Sequence, residues 1–117
     1  MANQDYTGSC QCGAVAFTVQ ADLDRTVTCN CSRCRRLGSV LTFVPRDALR
    51  FTADGPTTEY RFNRQAIAHH FCPTCGIQTH AFGEMPDSGP MAAVNVNCLD
   101  GVDARALPSQ AVDGASH

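Results

Sequence analysis

The sequence predicts a mainly β domain with a single short helical turn, and it predicts that bound metal helps to hold the fold together. Apolar and polar residues alternate as in strands at several places, segments with helical periodicity are scarce, and eight of the 117 residues are cysteines. A chain of this length suits one domain. Because it has no Trp, two Tyr and six Phe, its core is modest, and such cores commonly rely on metal sites or disulfides.

The predicted strands follow from short segments of β-branched and aromatic residues. The clearest is 15–20, in which Val15, Phe17 and Val19 alternate with small or polar residues and predict one buried face. Other segments of this kind predict strands at 40–44, 48–52, 59–62, 66–71, 77–82 and 91–99. Turn residues at 54–56 join the second and third of these segments.

Helix is predicted only at residues 32–37, a short turn that Gly38 is placed to end, because glycine readily adopts positive φ. Beyond Pro108 the chain is polar and consists of small residues. We therefore predict one domain over residues 1–108 and a mobile C-terminal tail over residues 109–117.

Charge and apolar patterning bear on the location and the partners. The N-terminus has neither the basic nor the apolar region of a secretory signal peptide, and no apolar run approaches the roughly 20 residues that span a bilayer. A cytoplasmic location is therefore predicted, where thiols stay reduced and so many cysteines indicate metal ligands rather than a disulfide framework. The formal net charge of −2 disfavours nucleic acid and anionic membrane surfaces as partners.

Two cysteine pairs, each followed by glycine, predict a structural zinc site. They are Cys10 and Cys12 before Gly13, and Cys72 and Cys75 before Gly76. Glycine supplies the positive φ with which a metal knuckle turns its backbone N–H groups toward the thiolates. Together the pairs give the four thiolates that complete tetrahedral Zn²⁺. In the alternative, Cys72 and Cys75 form a thioredoxin-like redox pair, but that motif needs a following helix, whereas residues 77–82 alternate as a strand.

The middle cysteine cluster differs in kind. Cys29, Cys31 and Cys34 lie close together in sequence, and Arg35 rather than glycine follows the last of them. The start of the predicted helical turn and the neighbouring Arg side chains favour thiolates here. Three thiolates leave one tetrahedral position of Zn²⁺ open, as a catalytic site requires. The alternative is a closed and inert site, in which Cys98 or a histidine supplies the fourth ligand.

The remaining candidates are one cysteine and the histidines. Cys98 falls on the apolar face of the last predicted strand, and a packed thiol is its predicted role. His69, His70 and His80 flank the second glycine-terminated pair and can act in proton transfer, although histidines in such places are commonly ordinary polar packing. Of the three, His70 is the predicted catalytic residue. No role is assigned to His117.

Four motifs carry a resemblance to a known family. They are Gly8-Ser-Cys-Gln-Cys-Gly-Ala-Val-Ala-Phe17, Cys29-Asn-Cys-Ser-Arg-Cys-Arg-Arg-Leu-Gly38, His70-Phe-Cys-Pro-Thr-Cys-Gly76 and Asn97-Cys-Leu-Asp100. In order and spacing they resemble the glutathione-dependent formaldehyde-activating (GFA) family, whose domain is also called the centromere protein V/GFA domain. The resemblance implies an Mss4-like (β-tent) fold stapled by zinc. It also implies that the structural zinc lies on the residues matching Cys10, Cys12, Cys72 and Cys75, and a second zinc on those matching Cys29, Cys31 and Cys34.

The resemblance further implies an activity. The family's founding reaction forms a carbon–sulfur bond, because glutathione adds to formaldehyde and gives S-hydroxymethylglutathione. The predicted function is therefore a zinc-dependent carbon–sulfur lyase acting on a small thiol and an aldehyde, with one structural and one catalytic Zn²⁺. Its catalytic site would comprise Cys29, Cys31, Cys34 and His70. Arg35, Arg36 or Arg64 are candidates to bind glutathione carboxylates. The alternative is a non-catalytic Mss4-like zinc-binding interaction module.

Overall fold

A computed structural model describes residues 3–116. Met1 and Ala2, which begin the predicted domain, and His117, which ends the predicted tail, lie outside the described residues. The strands are β1 (Gln4–Ser9), β2 (Val15–Ala21), β3 (Thr26–Cys29), β4 (Leu41–Pro45), β5 (Leu49–Asp54), β6 (Thr58–Tyr60), β7 (Ala68–Phe71), β8 (Gln78–Met85), β9 (Gly89–Asn95) and β10 (Ser109–Val112). One short α-helix, α1 (Cys34–Leu37), accompanies them. In this part of the chain, no helix has the length and apolar character needed to cross a membrane.

The strands form two sheets, which confirms the mainly β class. A three-stranded sheet has the order β1-β2-β5, and a seven-stranded sheet has the order β10-β3-β4-β9-β8-β7-β6. Neighbouring strands are antiparallel except β10 and β3, which run parallel. A bridge between Gly8 and Leu99 connects the smaller sheet to the chain beyond β9.

Side chains from both sheets form the main core. Phe17 and Val19 of β2 pack in one buried cluster with Val44 of β4 and Val94 of β9, and each of these side chains is almost fully buried. Burial alternates along β2 as its sequence pattern predicts, because the residues between them are half-buried or exposed. Removal of this apolar surface from water is the main favourable contribution to folding.

Local signals placed several elements correctly. Helix α1 ends at Gly38, which adopts the left-handed conformation with φ of 66°, as predicted.

The predicted strand 91–99 is too long, because β9 ends at Asn95 and Val96–Cys98 forms a 3-10 turn. The side chain of Asn95 caps that turn by accepting a hydrogen bond from the N–H of Asn97 at 3.1 Å. Cys98 therefore does not lie on a strand face.

Three further segments have pairing partners that the sequence did not indicate. The segments predicted at 48–52 and 59–62 correspond to β5 and β6, but these strands belong to different sheets and do not pair with each other. The C-terminal segment, predicted as a mobile tail, forms β10, which pairs with β3 from Thr26 opposite Ser109 to Cys29 opposite Val112. All four residues of β10 are exposed, so no apolar stripe marks this strand in the sequence.

Candidate metal centres

The first cysteine cluster brings the two glycine-terminated pairs together. The Sγ atoms of Cys10, Cys12, Cys72 and Cys75 all lie within 4.8 Å of one another. The Sγ–Sγ distance is 3.7 Å between Cys10 and Cys12 and 3.6 Å between Cys12 and Cys72. Tetrahedral Zn–S bonds of about 2.3 Å place sulfur atoms about 3.8 Å apart, so these four thiols fit a zinc ion.

The two halves of this cluster have the same backbone geometry. Gly13 and Gly76 adopt φ of 83° and 80°, which confirms the conformation predicted for them. The N–H of Gly13 donates to the carbonyl of Cys10 at 3.2 Å, and the N–H of Gly76 donates to the carbonyl of Cys72 at 2.7 Å. A Cβ at either glycine would meet no atom within 4 Å. Backbone conformation, and not lack of space, is therefore what favours glycine at both positions.

The position of this cluster suits a structural metal. Cys10 and Cys12 lie on the turn between β1 and β2, whereas Cys72 and Cys75 lie on the turn between β7 and β8. Buried Cys10 and Cys72 pack against Val15 in a small apolar cluster of their own. A metal ion held by these four residues would cross-link the smaller sheet to the larger one.

Backbone donors stabilise the thiolates of Cys72 and Cys75 in the first cluster. The N–H groups of Ile77 and Cys12 lower the pKa of Cys75 to about 6. The N–H of Cys75 likewise lowers the pKa of Cys72. These donors favour the deprotonated form that binds metal, as the knuckle geometry requires.

The second cluster is formed by the end of β3 and the start of α1. The Sγ atoms of Cys29, Cys31 and Cys34 lie within 4.8 Å of one another, and no fourth ligand from residues 3–116 joins the group. The N–H of Cys31 points to Cys29 Sγ at 3.4 Å, and the N–H of Cys34 points to Cys31 Sγ at 3.3 Å. Three thiols fit a zinc ion that keeps one position for another ligand.

The thiols of the second cluster differ in acidity. Burial raises the pKa of Cys31, but hydrogen bonds from the N–H groups of Cys34 and Arg33 outweigh it, so the net shift is downward. Burial, followed by the neighbouring Cys31, raises the pKa of Cys34 to about 12. In the metal-free protein, Cys31 therefore loses its proton before Cys34.

Cys98 belongs to neither cluster. Its Sγ donates to the carbonyl oxygen of Gln78 at 3.7 Å, and its side chain packs against the main core. Burial, followed by the nearby Cys10 and Cys75, raises its pKa to about 12. Cys98 is thus a protonated thiol, and the cysteines that raise its pKa belong to the first cluster and not to the second.

A polar and aromatic group adjoins the second cluster. Arg33, which precedes Cys34, donates from Nε to Oε1 of Gln78 at 2.9 Å. Its guanidinium carbon lies 4.9 Å from the ring centroid of Tyr60 and 5.8 Å from that of Phe71. The terminal Nη atoms form no hydrogen bond with any described residue. Arg33 is therefore held in place by its Nε and by ring contacts, and its Nη atoms are available to a ligand.

Behind Arg33, buried Gln78 connects this group to His69. The Nε2 atom of Gln78 lies 3.5 Å from Nδ1 of His69, whose ring stacks on that of Phe62 with centroids 5.1 Å apart. Burial, followed by the charge of Arg33, lowers the pKa of His69 to about 4. His69 is therefore neutral at physiological pH and accepts or donates hydrogen bonds without carrying charge.

His70 and His80 make a separate group that contacts the smaller sheet. Their rings stack with centroids 4.9 Å apart, and the ring of His80 lies 5.0 Å from that of Phe51 in β5. Nδ1 of His70 hydrogen-bonds with Oγ1 of Thr57 at 2.9 Å, and burial lowers its pKa. His69, and not His70, is thus the histidine that connects to Arg33 through Gln78. The catalytic role of His70 stays a prediction.

The arginines predicted to bind glutathione carboxylates are Arg35, Arg36 and Arg64, whereas the arginine that its neighbours hold in place is Arg33. Arg35, Arg36 and Arg64 are exposed, and Nη1 of Arg36 donates to the carbonyl of Ser32 at 2.7 Å. Arg33 lies between Cys31 and Cys34 in the sequence, and this position is the only local sign that it belongs to the site. Nothing in the sequence indicates Gln78, because its partner Arg33 is 45 residues away.

Comparison with known proteins identifies the family to which this sequence is related. The sequence profile described as "Glutathione-dependent formaldehyde-activating enzyme" matches residues 5–112. A Phaeosphaeria nodorum protein is 30% identical over 90 residues, which cover 74% of this chain and 46% of that protein. An Aspergillus terreus protein is 28% identical over 102 residues, which cover 82% of this chain and 52% of that protein. Both are named "Putative glutathione-dependent formaldehyde-activating enzyme". The chain thus spans about half the length of these curated relatives.

A solved structure supports the fold as well. The crystal structure of a Rhodobacter sphaeroides protein superposes with a TM-score of 0.78 at 33% sequence identity. The match covers 90% of this chain and 97% of that one. Because the family profile covers most of the chain and includes all seven clustered cysteines, the chain belongs to the glutathione-dependent formaldehyde-activating family.

Proposed function

We propose that this protein is a zinc-dependent carbon–sulfur lyase that adds a small, carboxylate-bearing thiol of the glutathione type to formaldehyde or a related aldehyde. The observation that carries the proposal is the three-thiol second cluster beside Arg33, whose Nη atoms have no partner among the described residues. The names of the relatives support the substrate class. A cytoplasmic location remains part of this proposal, because the reaction uses reduced thiols.

The reaction balances without a further reactant. A sulfur–carbon bond forms, the carbonyl π bond breaks, and the thiol proton ends on the new hydroxyl oxygen. Zinc held by Cys29, Cys31 and Cys34 would supply a site that binds and acidifies the incoming thiol. The chain's own residues bind and orient the substrate, which gives the advantage of proximity.

Arg33 is the proposed substrate-binding residue. Its Nη atoms face no competing partner, so a carboxylate can form a bidentate pair with them. Gln78 and the rings of Tyr60 and Phe71 hold the guanidinium in one orientation, which reduces the entropy lost on binding. His69, neutral at physiological pH, is proposed to position Gln78 and not to transfer the proton.

The first experiment measures thiol-dependent loss of formaldehyde with fully zinc-loaded protein. The wild type should exceed the spontaneous rate, and Cys31→Ser should lose most of that excess because one of three ligands is weakened. Elemental analysis should find about two Zn²⁺ per chain in the wild type and about one in the variant. Equal rates in both proteins, or no rate above the spontaneous one, would instead favour the non-catalytic interaction module.

The second experiment tests the carboxylate site. Arg33→Ala should raise KM for glutathione about tenfold or more, as expected for the loss of a charge-assisted hydrogen bond. The KM for 2-mercaptoethanol, which has no carboxylate, should change little. Arg36→Ala is the matched control, since Arg36 is exposed and bonds to Ser32. Equal changes for both thiols would contradict the role of Arg33.

A further inference from the structure

The C-terminal residues 112–116, named here the C-terminal strap, lie against the second cysteine cluster. Strand β10 brings them there, because its pairing with β3 ends with Val112 opposite Cys29. The chain then continues past the cluster as a 3-10 turn, Gly114–Ser116, in which Oγ of Ser116 donates to Oδ2 of Asp113 at 2.6 Å. The match to the family profile ends at residue 112, so most of the strap lies outside the matched residues.

Asn30 fastens the strap to the loop that carries the ligands. This residue lies between Cys29 and Cys31, and it forms three hydrogen bonds with the strap. Its backbone N–H donates to the carbonyl of Val112 at 3.2 Å, and its Nδ2 donates to Oδ1 of Asp113 at 3.0 Å. Its Oδ1 accepts from the N–H of Ala115 at 2.9 Å. One side chain thus satisfies a donor and an acceptor of the strap and fixes where it crosses the cluster.

Gly114 lets the strap approach closely. A Cβ at this position would overlap the Sγ of Cys29 and would lie 3.3 Å from the Cβ of Cys31. Such an atom fits only if the strap moves away or the Cys29 side chain rotates its Sγ out of the present position, because β3 holds the backbone of Cys29. The need for glycine here comes from space, in contrast to Gly13 and Gly76, where it comes from φ.

We propose that the C-terminal strap closes the Cys29 side of the second metal centre and limits which thiols and chelators reach it. The inference rests on the proposed function, because it treats this cluster as a metal centre with an open position. With the Cys29 side covered, a ligand reaches the metal centre only from a side that the strap leaves open. Gly114 is the residue whose size allows closure, and Asn30 is the positioning residue that holds it.

The test follows zinc transfer from the zinc-loaded full chain to a chromogenic chelator. The wild type should release zinc in two phases, and Cys31→Ser should lack the phase that belongs to the second centre. Gly114→Ala and Asn30→Ala should each speed that phase about tenfold, the change expected when one or two hydrogen bonds are lost. The phase of the first centre should keep its wild-type rate, which also reports that the variants are folded.

Gly83→Ala is the matched control for the glycine substitution. A Cβ at Gly83 would meet only Ile67, at an ordinary contact distance of 3.6 Å, so release from the second centre should stay at the wild-type rate. If the wild type holds two zinc ions but both strap variants release the second at the wild-type rate, the strap inference is overturned and the proposed function stands. If the wild type holds a single zinc, both fail.

Discussion

Replacing Gly76 by alanine is expected to destabilise the zinc-loaded protein through backbone conformation alone. Gly76 has φ of 80°, and a Cβ there would meet nothing within 4 Å, so no steric clash contributes. The left-handed conformation costs a residue with a Cβ about 1–2 kcal/mol. Alanine also restricts the unfolded chain, which returns about 0.4–1 kcal/mol. The expected net loss in free energy of unfolding is therefore about 1 kcal/mol.

Denaturant unfolding at a fixed free-zinc concentration measures this loss. In thermal unfolding, a change of that size lowers the Tm of a chain of 117 residues by about 4 °C. Gly83→Ala serves as the control, because Gly83 lacks a positive φ and its Cβ has room. Its effect should be neutral or stabilising, since glycine in a strand interior costs about 0.5–1 kcal/mol relative to alanine. If both variants lose the same stability, the explanation from φ is refuted.

Two further predictions concern the buried groups. Burial, followed by the charges of His70 and Arg46, lowers the pKa of His80 from 6.5 to about 4, so the unfolded chain binds a proton that the folded protein excludes as pH falls through that interval. The stability that the neutral ring contributes is thus lost as pH falls from 6.5 to about 4. Over that range the free energy of unfolding should fall less for His80→Gln than for the wild type. Parallel curves of unfolding free energy against pH for the two proteins would contradict this prediction. Cys98→Ala should keep both zinc ions and the thiol-dependent activity, as measured by elemental analysis and turnover, and loss of either zinc would show that Cys98 is a ligand.

The sequence determined the features whose causes are local. Cysteines at fixed spacing, with glycine after each pair, need only the conformation of a few neighbouring residues, and Gly13 and Gly76 have the positive φ that this spacing predicts. The same holds for the end of α1 at Gly38 and for the buried face of β2, because helix capping and period-two alternation are properties of a short segment. The division of seven cysteines into four and three also follows from these local signals.

Tertiary structure decided what depends on residues far apart in the chain. Gln78 could not be linked to Arg33 from the sequence, since only the tertiary fold brings together these two side chains, which are 45 residues apart. Strand β10 has no buried side chain to mark it, and its place is set by main-chain pairing with β3 and by Asn30. Local patterning therefore determined the division of seven cysteines into two clusters, whereas nonlocal pairing decided which side chains and which stretch of backbone surround the second cluster.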